Sequence, residues 1–257
     1  MIADVIAAVR ERAPLVHCLS AAVSLNFVAD AVLAAGARPM MTETLEEAPV
    51  MVQAADALLV NLGTLSTDGA AGIPATAARA RELGTPWVLD PTAVGLAPVR
   101  TPLARHLLTH RPAVIRGNAS EILNLAGAGT GGRGADTVHV PEQAAHSAHL
   151  LALATHAVVA VSGARDLITD GERSVAVTAG HPLLTRVTGT GCTLGALTAA
   201  CAAVADPFEA AHAATAWLCV AAEDAAGAAA GPGSFKVALL DALAAVDPHA
   251  VEERALA

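Results

Sequence analysis

A glycine-rich segment, residues 187–192 with the sequence VTGTGC, directly precedes a long alanine-rich stretch. Gly189 and Gly191 let the backbone approach a ligand closely, because glycine has no Cβ. The stretch that follows has helical composition, so its first N–H groups and the positive end of its dipole would face a ligand there. This pattern predicts an anion hole for a phosphoryl group in transfer, with a plain capped turn as the competing interpretation.

Cys192 is the residue of this segment whose side chain could take part in chemistry. A thiol in the first turn of a helix is expected to have a lowered pKa, because the helix dipole favours the thiolate. The competing interpretation is a buried structural cysteine, which is how we interpret Cys201 and Cys219 within alanine-rich helical stretches.

A second group of polar residues lies in residues 116–121, which read RGNASE. Asn118 can cap the helix that follows, and Glu121 lies three residues later on the same face. A capping box would explain this spacing without any function. The functional interpretation directs the Glu121 carboxylate at a metal ion and the Arg116 guanidinium, at the end of a strand, at a phosphate.

Three further polar residues come at the ends of apolar runs. Asp90 precedes Pro91 and could bind Mg²⁺ directly or through water, or it could simply form a turn. Ser162 precedes Gly163 and could offer its hydroxyl to a nucleotide phosphate, or it too could belong to a turn. His17 ends another apolar run, and we interpret it as a core histidine outside the site.

The elements that must position these residues are short apolar runs alternating with alanine-rich helical runs. The predicted strands are residues 15–18, 57–61, 87–90, 113–116 and 157–162. The predicted helices are a first amphipathic helix within residues 1–14 and residues 24–35, 69–83, 102–109, 119–125, 141–155, 192–205, 207–228 and 234–245. This order predicts one α/β domain over residues 1–257, with helices on both faces of a central, mostly parallel sheet. Asp170-Gly171 predicts a hairpin, and the glycine-rich residues 127–134 predict a loop.

Composition excludes several classes of protein. A net charge of −9 argues against a nucleic acid or an anionic membrane as partner, although it leaves a nucleotide ligand open. Lys236 is the only lysine and no Walker A spacing precedes it, which excludes a P-loop kinase. Without a signal-peptide pattern or a membrane span, and with no C-x-x-C pair, the chain is expected in the cytoplasm with free thiols.

Together these motifs resemble the hydroxyethylthiazole kinases, and the similarity covers nearly the whole chain. The segments that carry it are residues 14–17, 36–41, 61–66, 88–91, 115–121, 180–192 and 231–235. The resemblance implies a ribokinase-like three-layer α/β/α fold and a homotrimer with its substrate site at the subunit contacts. It also implies ATP- and Mg²⁺-dependent phosphorylation of the hydroxyl of 4-methyl-5-(2-hydroxyethyl)thiazole, a step of thiamine salvage.

The resemblance assigns a role to each candidate residue. It implies that Met41 and Gly189 bind the substrate, that Arg116 and Ser162 bind ATP, that Asp90 and Glu121 hold Mg²⁺, and that Cys192 is catalytic.

Two positions distinguish this chain within that pattern. Cys192 stands where most ribokinase-like enzymes carry Asp, and Ala21 replaces an Asn of the family's substrate pocket. The Ala21 change leaves open a kinase for another small heterocyclic alcohol or a binding protein without turnover. The fold also leaves open a nucleotide-dependent dehydratase of hydrated nicotinamide cofactors, although Cys192 departs from the Asp expected of the dehydratases. A hydrolase with Cys192 as nucleophile is a fourth hypothesis.

Overall fold

Eight strands form one sheet within residues 1–127 and 141–255, the parts of the chain that the computed structural model describes. The strands are β1 (Leu15–Leu19), β2 (Arg38–Met40), β3 (Ala57–Asn61), β4 (Trp87–Asp90), β5 (Val114–Asn118), β6 (Val158–Ser162), β7 (Asp166–Thr169) and β8 (Ser174–Val177). Their order is β2-β1-β3-β4-β5-β6-β7-β8, and β1 to β6 are parallel. The strands β7 and β8 add an antiparallel edge. The carboxyl ends of β1 to β6 therefore lie along one edge of the sheet, where ligands of such sheets bind.

Helices cover both faces of this sheet. They are α1 (Ile2–Arg12), α2 (Leu25–Ala34), α3 (Ala48–Met51), α4 (Thr67–Leu83), α5 (Arg100–Leu107), α6 (Ala119–Leu125), α7 (Pro141–Thr155), α8 (Thr190–Ala202), α9 (Pro207–Ala228), α10 (Pro232–Ala245) and α11 (Pro248–Ala255). One face packs against α1, α2 and α8 to α11, and we call this the first core. The opposite face packs against α3 to α7, which form the second core. None of the helices in the described residues is apolar over a length that would cross a bilayer.

The strands are apolar on both faces because both faces are covered. Every residue of β3 is buried. Since successive side chains of a strand point to opposite faces, Leu59 contributes to the first core while Leu58 and Val60 contribute to the second. The many alanines of α8 and α9 are buried against the first face, because a small side chain lets a helix lie close to the sheet.

The structure confirms the predicted mostly parallel sheet, its five predicted parallel strands and the hairpin of β7 and β8. The sequence did not predict β2, α3 or α11. The strand β2 consists of Arg38, Pro39 and Met40 at the sheet edge, where proline costs no hydrogen bond in the ladder. Such a strand is too short and too polar to be recognised as an apolar run. The loop predicted for residues 127–134 lies, apart from residue 127, outside the described residues.

Candidate functional site

Polar side chains from four neighbouring strands meet at the carboxyl edge of the sheet. Asn61 and Asp90 are the last residues of β3 and β4, and they lie opposite each other in the parallel register. Ser162 is the last residue of β6. Arg116 lies in β5, two residues before that strand ends. The predicted nucleotide residues Arg116 and Ser162 and the predicted metal ligand Asp90 therefore lie together.

The Asp90 carboxylate is the acceptor at the centre of this cluster, and the residue is 1% exposed. Its Oδ2 accepts hydrogen bonds from Asn61 Nδ2 at 2.6 Å and from Arg116 Nη1 at 2.9 Å. Its Oδ1 accepts one from Thr92 Oγ1 at 3.0 Å. Asn61 also accepts from the Gly63 N–H, at 2.8 Å. Hydrogen bonds on both oxygens fix the orientation of this buried carboxylate.

Arg116 joins Asp90 to two other elements. Its Nη1 also donates to the Gly191 carbonyl at 3.1 Å, and its Nη2 donates to Ser162 Oγ at 2.9 Å. Burial lowers the pKa of the guanidinium, but the Asp90 and Glu121 carboxylates together raise it by more, so it stays above its ordinary value. The guanidinium is therefore a permanent cation that links β4, β6 and the start of α8. We call Asn61, Asp90, Arg116, Ser162 and Gly191 the Arg116 junction.

The start of α8 faces this junction. Gly189 is its N-terminal cap and has a φ of 99°, a conformation that glycine adopts without strain. A Cβ at this position would lie 2.9 Å from the Ser24 Cβ and 3.1 Å from the Phe27 ring, so only glycine fits against α2. No side chain caps the helix, which leaves its first N–H groups available to an anion. The structure thus provides the backbone conformation that the predicted anion hole requires.

The Cys192 thiol lies in the first turn of α8 and is half-buried. Burial and the negative charge of Asp90 raise its pKa, while Ser24, Arg116 and Asn61 lower it by less. The net direction is upward. The expectation of a lowered thiol pKa was therefore wrong, because the dipole argument ignored burial and the carboxylate nearby. At neutral pH this residue is a thiol.

Glu121 forms the capping box that the sequence allowed. Its Oε2 accepts the Asn118 N–H at 2.9 Å, and the Asn118 Oδ1 accepts the Glu121 N–H at 2.9 Å. Its Oε1 accepts the Ala93 N–H at 2.9 Å. Ala93 has a φ of 65°, which is a strained conformation for alanine. These bonds explain the position of Glu121 without a metal ion.

The electrostatics of Glu121 nevertheless suit a cation. Burial and the charge of Asp90 raise its pKa to about 7, although the Ala93 and Asn118 N–H groups and Arg116 lower it. Two buried carboxylates thus share one guanidinium, and a divalent cation would relieve their repulsion. The described residues contain no group of three or more His, Cys, Asp or Glu arranged for a metal ion. Two carboxylates, Asp90 and Glu121, are the donors present, and Mg²⁺ commonly binds one or two carboxylates and takes its other ligands from water and phosphate oxygens.

The two remaining candidates lie further along the same edge. Met41 directly follows β2, and its half-buried side chain packs against the first core. Ala21 follows β1 and is 2% exposed. A Cβ added to Gly63 would lie 3.1 Å from the Ala21 Cβ, so Ala21 packs against the segment after β3.

Sequence reasoning missed the role of Asn61. It was the last residue of the predicted strand 57–61, but nothing in the sequence linked its amide to Asp90. The available signal was a polar residue ending a wholly apolar strand, in register with another such residue on the next strand.

A surface cavity of about 420 Å³ opens between the segments that follow β3 and β4. The residues that line it are Thr64, Leu65, Ser66, Thr67, Ala70, Ala97, Pro98, Val99 and Arg100. None of the predicted site residues lines this cavity.

A family model described as the hydroxyethylthiazole kinase family matches residues 6–249. A relative named hydroxyethylthiazole kinase from Kineococcus radiotolerans is 51% identical over 246 residues, which are 95% of this chain and 90% of the relative. One of the same name from Clavibacter sepedonicus is 50% identical over 252 residues, which are 98% and 92% of the two chains.

Solved structures give the same picture. The hydroxyethylthiazole kinase protein from Pyrococcus horikoshii OT3 matches with a TM-score of 0.88 at 38% identity, over 96% of this chain and 93% of that chain. A pyridoxal kinase from Staphylococcus aureus, in complex with AMP-PCP and pyridoxal, matches with a TM-score of 0.57 at 17% identity, over 81% and 86%. The second likeness shows the fold alone. The predicted ribokinase-like three-layer architecture is confirmed.

Proposed function

The chain belongs to the hydroxyethylthiazole kinase family, and from this premise we propose that it phosphorylates the hydroxyl of 4-methyl-5-(2-hydroxyethyl)thiazole with ATP, in thiamine salvage. The observation that carries the proposal is the Arg116 junction at the start of α8. It brings a helix start without a side-chain cap, a permanent cation and a buried carboxylate to one point. Phosphoryl transfer depends mainly on such positioning and charge stabilisation.

The reaction that we propose is an in-line displacement. The substrate hydroxyl oxygen bonds to the γ-phosphorus while the bond from phosphorus to the β–γ bridging oxygen breaks, which releases ADP. The N–H groups of Gly191 and Cys192 stabilise the charge of the transferred group, and Arg116 adds its positive charge. Cys192, in the first turn of α8, would face the attacking oxygen as a thiol. Because burial and Asp90 raise the pKa of the Cys192 thiol, the thiol does not act as a strong base. The hydroxyl proton leaves late, when bonding to phosphorus has made that oxygen acidic, and passes to water or to an oxygen of the transferred phosphoryl group.

Mg²⁺ would be held by Asp90 and Glu121, and when bound it neutralises charge on the ATP phosphates. The support for this proposal is the raised pKa of Glu121, caused by burial and by the neighbouring Asp90. Ser162 and Arg116 would bind the nucleotide. Met41 and Gly189 would line the thiazole site, as the family resemblance implies.

A homotrimeric, cytoplasmic enzyme with one catalytic domain over residues 1–257 completes the proposal. Exposed apolar side chains on segments that follow strands support subunit contacts near the site; they are Val23 (67%), Leu45 (49%), Val50 (60%), Leu96 (56%) and Val99 (60%). The four cysteines are all unpaired, as expected in a reducing compartment. Analytical ultracentrifugation would measure the oligomer directly.

The test is ADP release from ATP, measured with and without hydroxyethylthiazole and with and without Mg²⁺. We expect release that depends on both. Turnover of another heterocyclic alcohol alone would retain the kinase and reject the named substrate. ATP-dependent dehydration of a hydrated nicotinamide cofactor, without any alcohol acceptor, would reject the kinase.

Ala21→Asn tests the substrate assignment within the chain. An amide at this buried position regains the polar contact that the alanine lacks. We expect the KM for hydroxyethylthiazole to fall a few-fold to about tenfold, since one hydrogen bond contributes about 0.5–1.5 kcal/mol. Unchanged constants for every alcohol in a panel would place residue 21 outside the pocket.

A further inference from the structure

His17 is a buried histidine that the proposed reaction does not use. It is 0% exposed, and its Nε2 lies 2.6 Å from the Thr42 carbonyl oxygen. Val16 and Cys18 contribute to the first core and Leu19 to the second, so by the alternation of β1 the imidazole lies on the face of the second core. The His17 side chain thus has one hydrogen-bond partner in the described residues, the backbone carbonyl of Thr42, which directly follows Met41.

The hydrogen bond defines the state of the ring. A carbonyl oxygen can only accept, so Nε2 must carry the hydrogen. The other nitrogen, Nδ1, is buried and has no hydrogen-bond partner in the described parts of the chain. Burial also lowers the pKa of His17, although the Thr42 carbonyl raises it by less. The ring is therefore neutral, in the Nε2–H form.

This hydrogen bond continues the sheet beyond the end of β2. Met40 is the last residue of β2 and lies opposite His17, whereas β1 runs on to Leu19. Beyond Met40 the two strands no longer pair, and the chain would be free to leave the sheet. The His17 side chain instead reaches along the edge and holds the Thr42 carbonyl, which keeps Met41 beside the end of β1.

A second contact holds the same segment from the side of α4. Glu43 Oε1 accepts a hydrogen bond from Ser66 Oγ at 2.8 Å, just before α4 begins. The Glu43 and Thr44 backbone also lies so close to Gly72 that a Cβ there would be 3.0 Å from the Thr44 carbonyl carbon. Residues 42–44 are thus held on both sides, and Met41 directly precedes the Thr42 carbonyl that His17 contacts.

We infer that His17 is a positioning residue for the substrate site, because it fixes the backbone that carries Met41. The inference rests on the proposed function, in which Met41 contacts the thiazole. It differs from the interpretation of His17 as a core residue in one respect. A core residue would need only volume and shape, whereas a positioning residue needs an N–H at the place of Nε2.

Three substitutions separate these two roles. The amide nitrogen of Gln can reach the position of Nε2. The Asn side chain is shorter, so its amide nitrogen reaches only the position of Nδ1. His17→Gln should keep the KM for hydroxyethylthiazole within about threefold of the parent. His17→Asn and His17→Leu should raise that KM about 5- to 30-fold, because a buried carbonyl loses its partner. The KM for ATP should change less than about threefold in all three variants.

The outcomes that would overturn the inference are specific. Equal KM values for hydroxyethylthiazole in the Gln and Leu variants would show that only the volume of the side chain matters. A parallel rise in the KM for hydroxyethylthiazole and the KM for ATP would show a general structural defect and would also reject the inference. Long-range ¹H–¹⁵N correlation spectra of the parent protein test the ring state directly, and a proton on Nδ1 would reject the hydrogen bond.

A measurement without activity separates this inference from the proposed function. The amide shifts of Met41 and Thr42 should move in His17→Asn and His17→Leu and stay near the parent's in His17→Gln. If the parent does not phosphorylate hydroxyethylthiazole, the proposed function fails while these shifts still decide whether His17 fixes the segment. Unmoved shifts in His17→Leu would reject the positioning role in an active enzyme.

Discussion

Replacing Gly72 with alanine has two opposing effects on stability, a gain in the helix propensity of α4 and a loss in the packing of that helix. At an open helical site, Gly→Ala stabilises a protein by about 0.4–1 kcal/mol, because alanine restricts the unfolded chain. At Gly72, however, an added Cβ meets the Glu43 carbonyl oxygen and lies 3.0 Å from the Thr44 carbonyl carbon. Both atoms belong to the backbone, so residues 43–44 must move away from α4.

The expected size follows from these two opposing effects. Overpacking a close contact costs about 1–3 kcal/mol, and the propensity gain offsets part of it. We expect Gly72→Ala to lower the free energy of unfolding by about 1–2 kcal/mol. For a chain of this length that corresponds to a fall in Tm of roughly 2–8 °C.

Gly227→Ala is the matched control, because it lies near the end of α9 and an added Cβ there meets nothing within 4 Å. This variant should gain about 0.4–1 kcal/mol. Thermal unfolding of both variants by circular dichroism gives the comparison. Equal stabilisation by the two substitutions would refute the argument, since it would mean that the segment after β2 does not press on α4.

Arg116→Ala should lower the free energy of unfolding by about 3–5 kcal/mol in urea titrations, because it leaves Asp90 buried without its cation; an unchanged midpoint would contradict the ion pair. Cys192→Asp should keep or raise turnover, and Cys192→Ala should reduce but not abolish it. Complete loss in both variants, together with a Cys192 adduct found in the parent protein by mass spectrometry, would indicate covalent chemistry instead. In Mg²⁺-free buffer, stability should fall as pH rises from about 4.5 to about 7, by up to about 3 kcal/mol, because the folded pKa of Glu121 is raised to about 7. The stability that protonated Glu121 contributes is fully present below pH 4.5 and is lost as pH rises through about 7. This pH dependence should be absent in Glu121→Gln. Ala93→Gly should raise Tm by relieving a φ of 65°, whereas an unchanged or lower Tm would show that no strain is stored there.

The sheet could be predicted because its strands carry the signal of burial on both faces. Ala57–Asn61 and Trp87–Asp90 are short runs with a single polar residue at the end. Strand β2 gave no such signal, since three residues with an arginine and a proline pair at the edge without forming a core. Strand β2 joins the sheet by pairing with β1. A pairing between distant segments cannot be read from the residues of β2 alone.

The candidate site was recovered residue by residue but not as a set of contacts. Sequence reasoning directed Arg116 at a phosphate, whereas the structure shows the same guanidinium already bound to Asp90, Ser162 and the Gly191 carbonyl. These partners come from other strands and from α8, so their distances depend on register and on helix placement. The Cys192 pKa failed as a prediction for the same reason, because burial and the charge of Asp90 arise only in the folded chain.

Helix α8 has almost no solvent face, with Thr190 and every residue from Thr193 to Ala202 buried. A helix enclosed in this way cannot tilt or slide without opening the first core. The N–H groups at its start are therefore immobilised when the chain folds and not when a ligand arrives. Ligand binding therefore carries no entropy cost for ordering these N–H groups. Their electrostatic field is already in place before the ligand arrives.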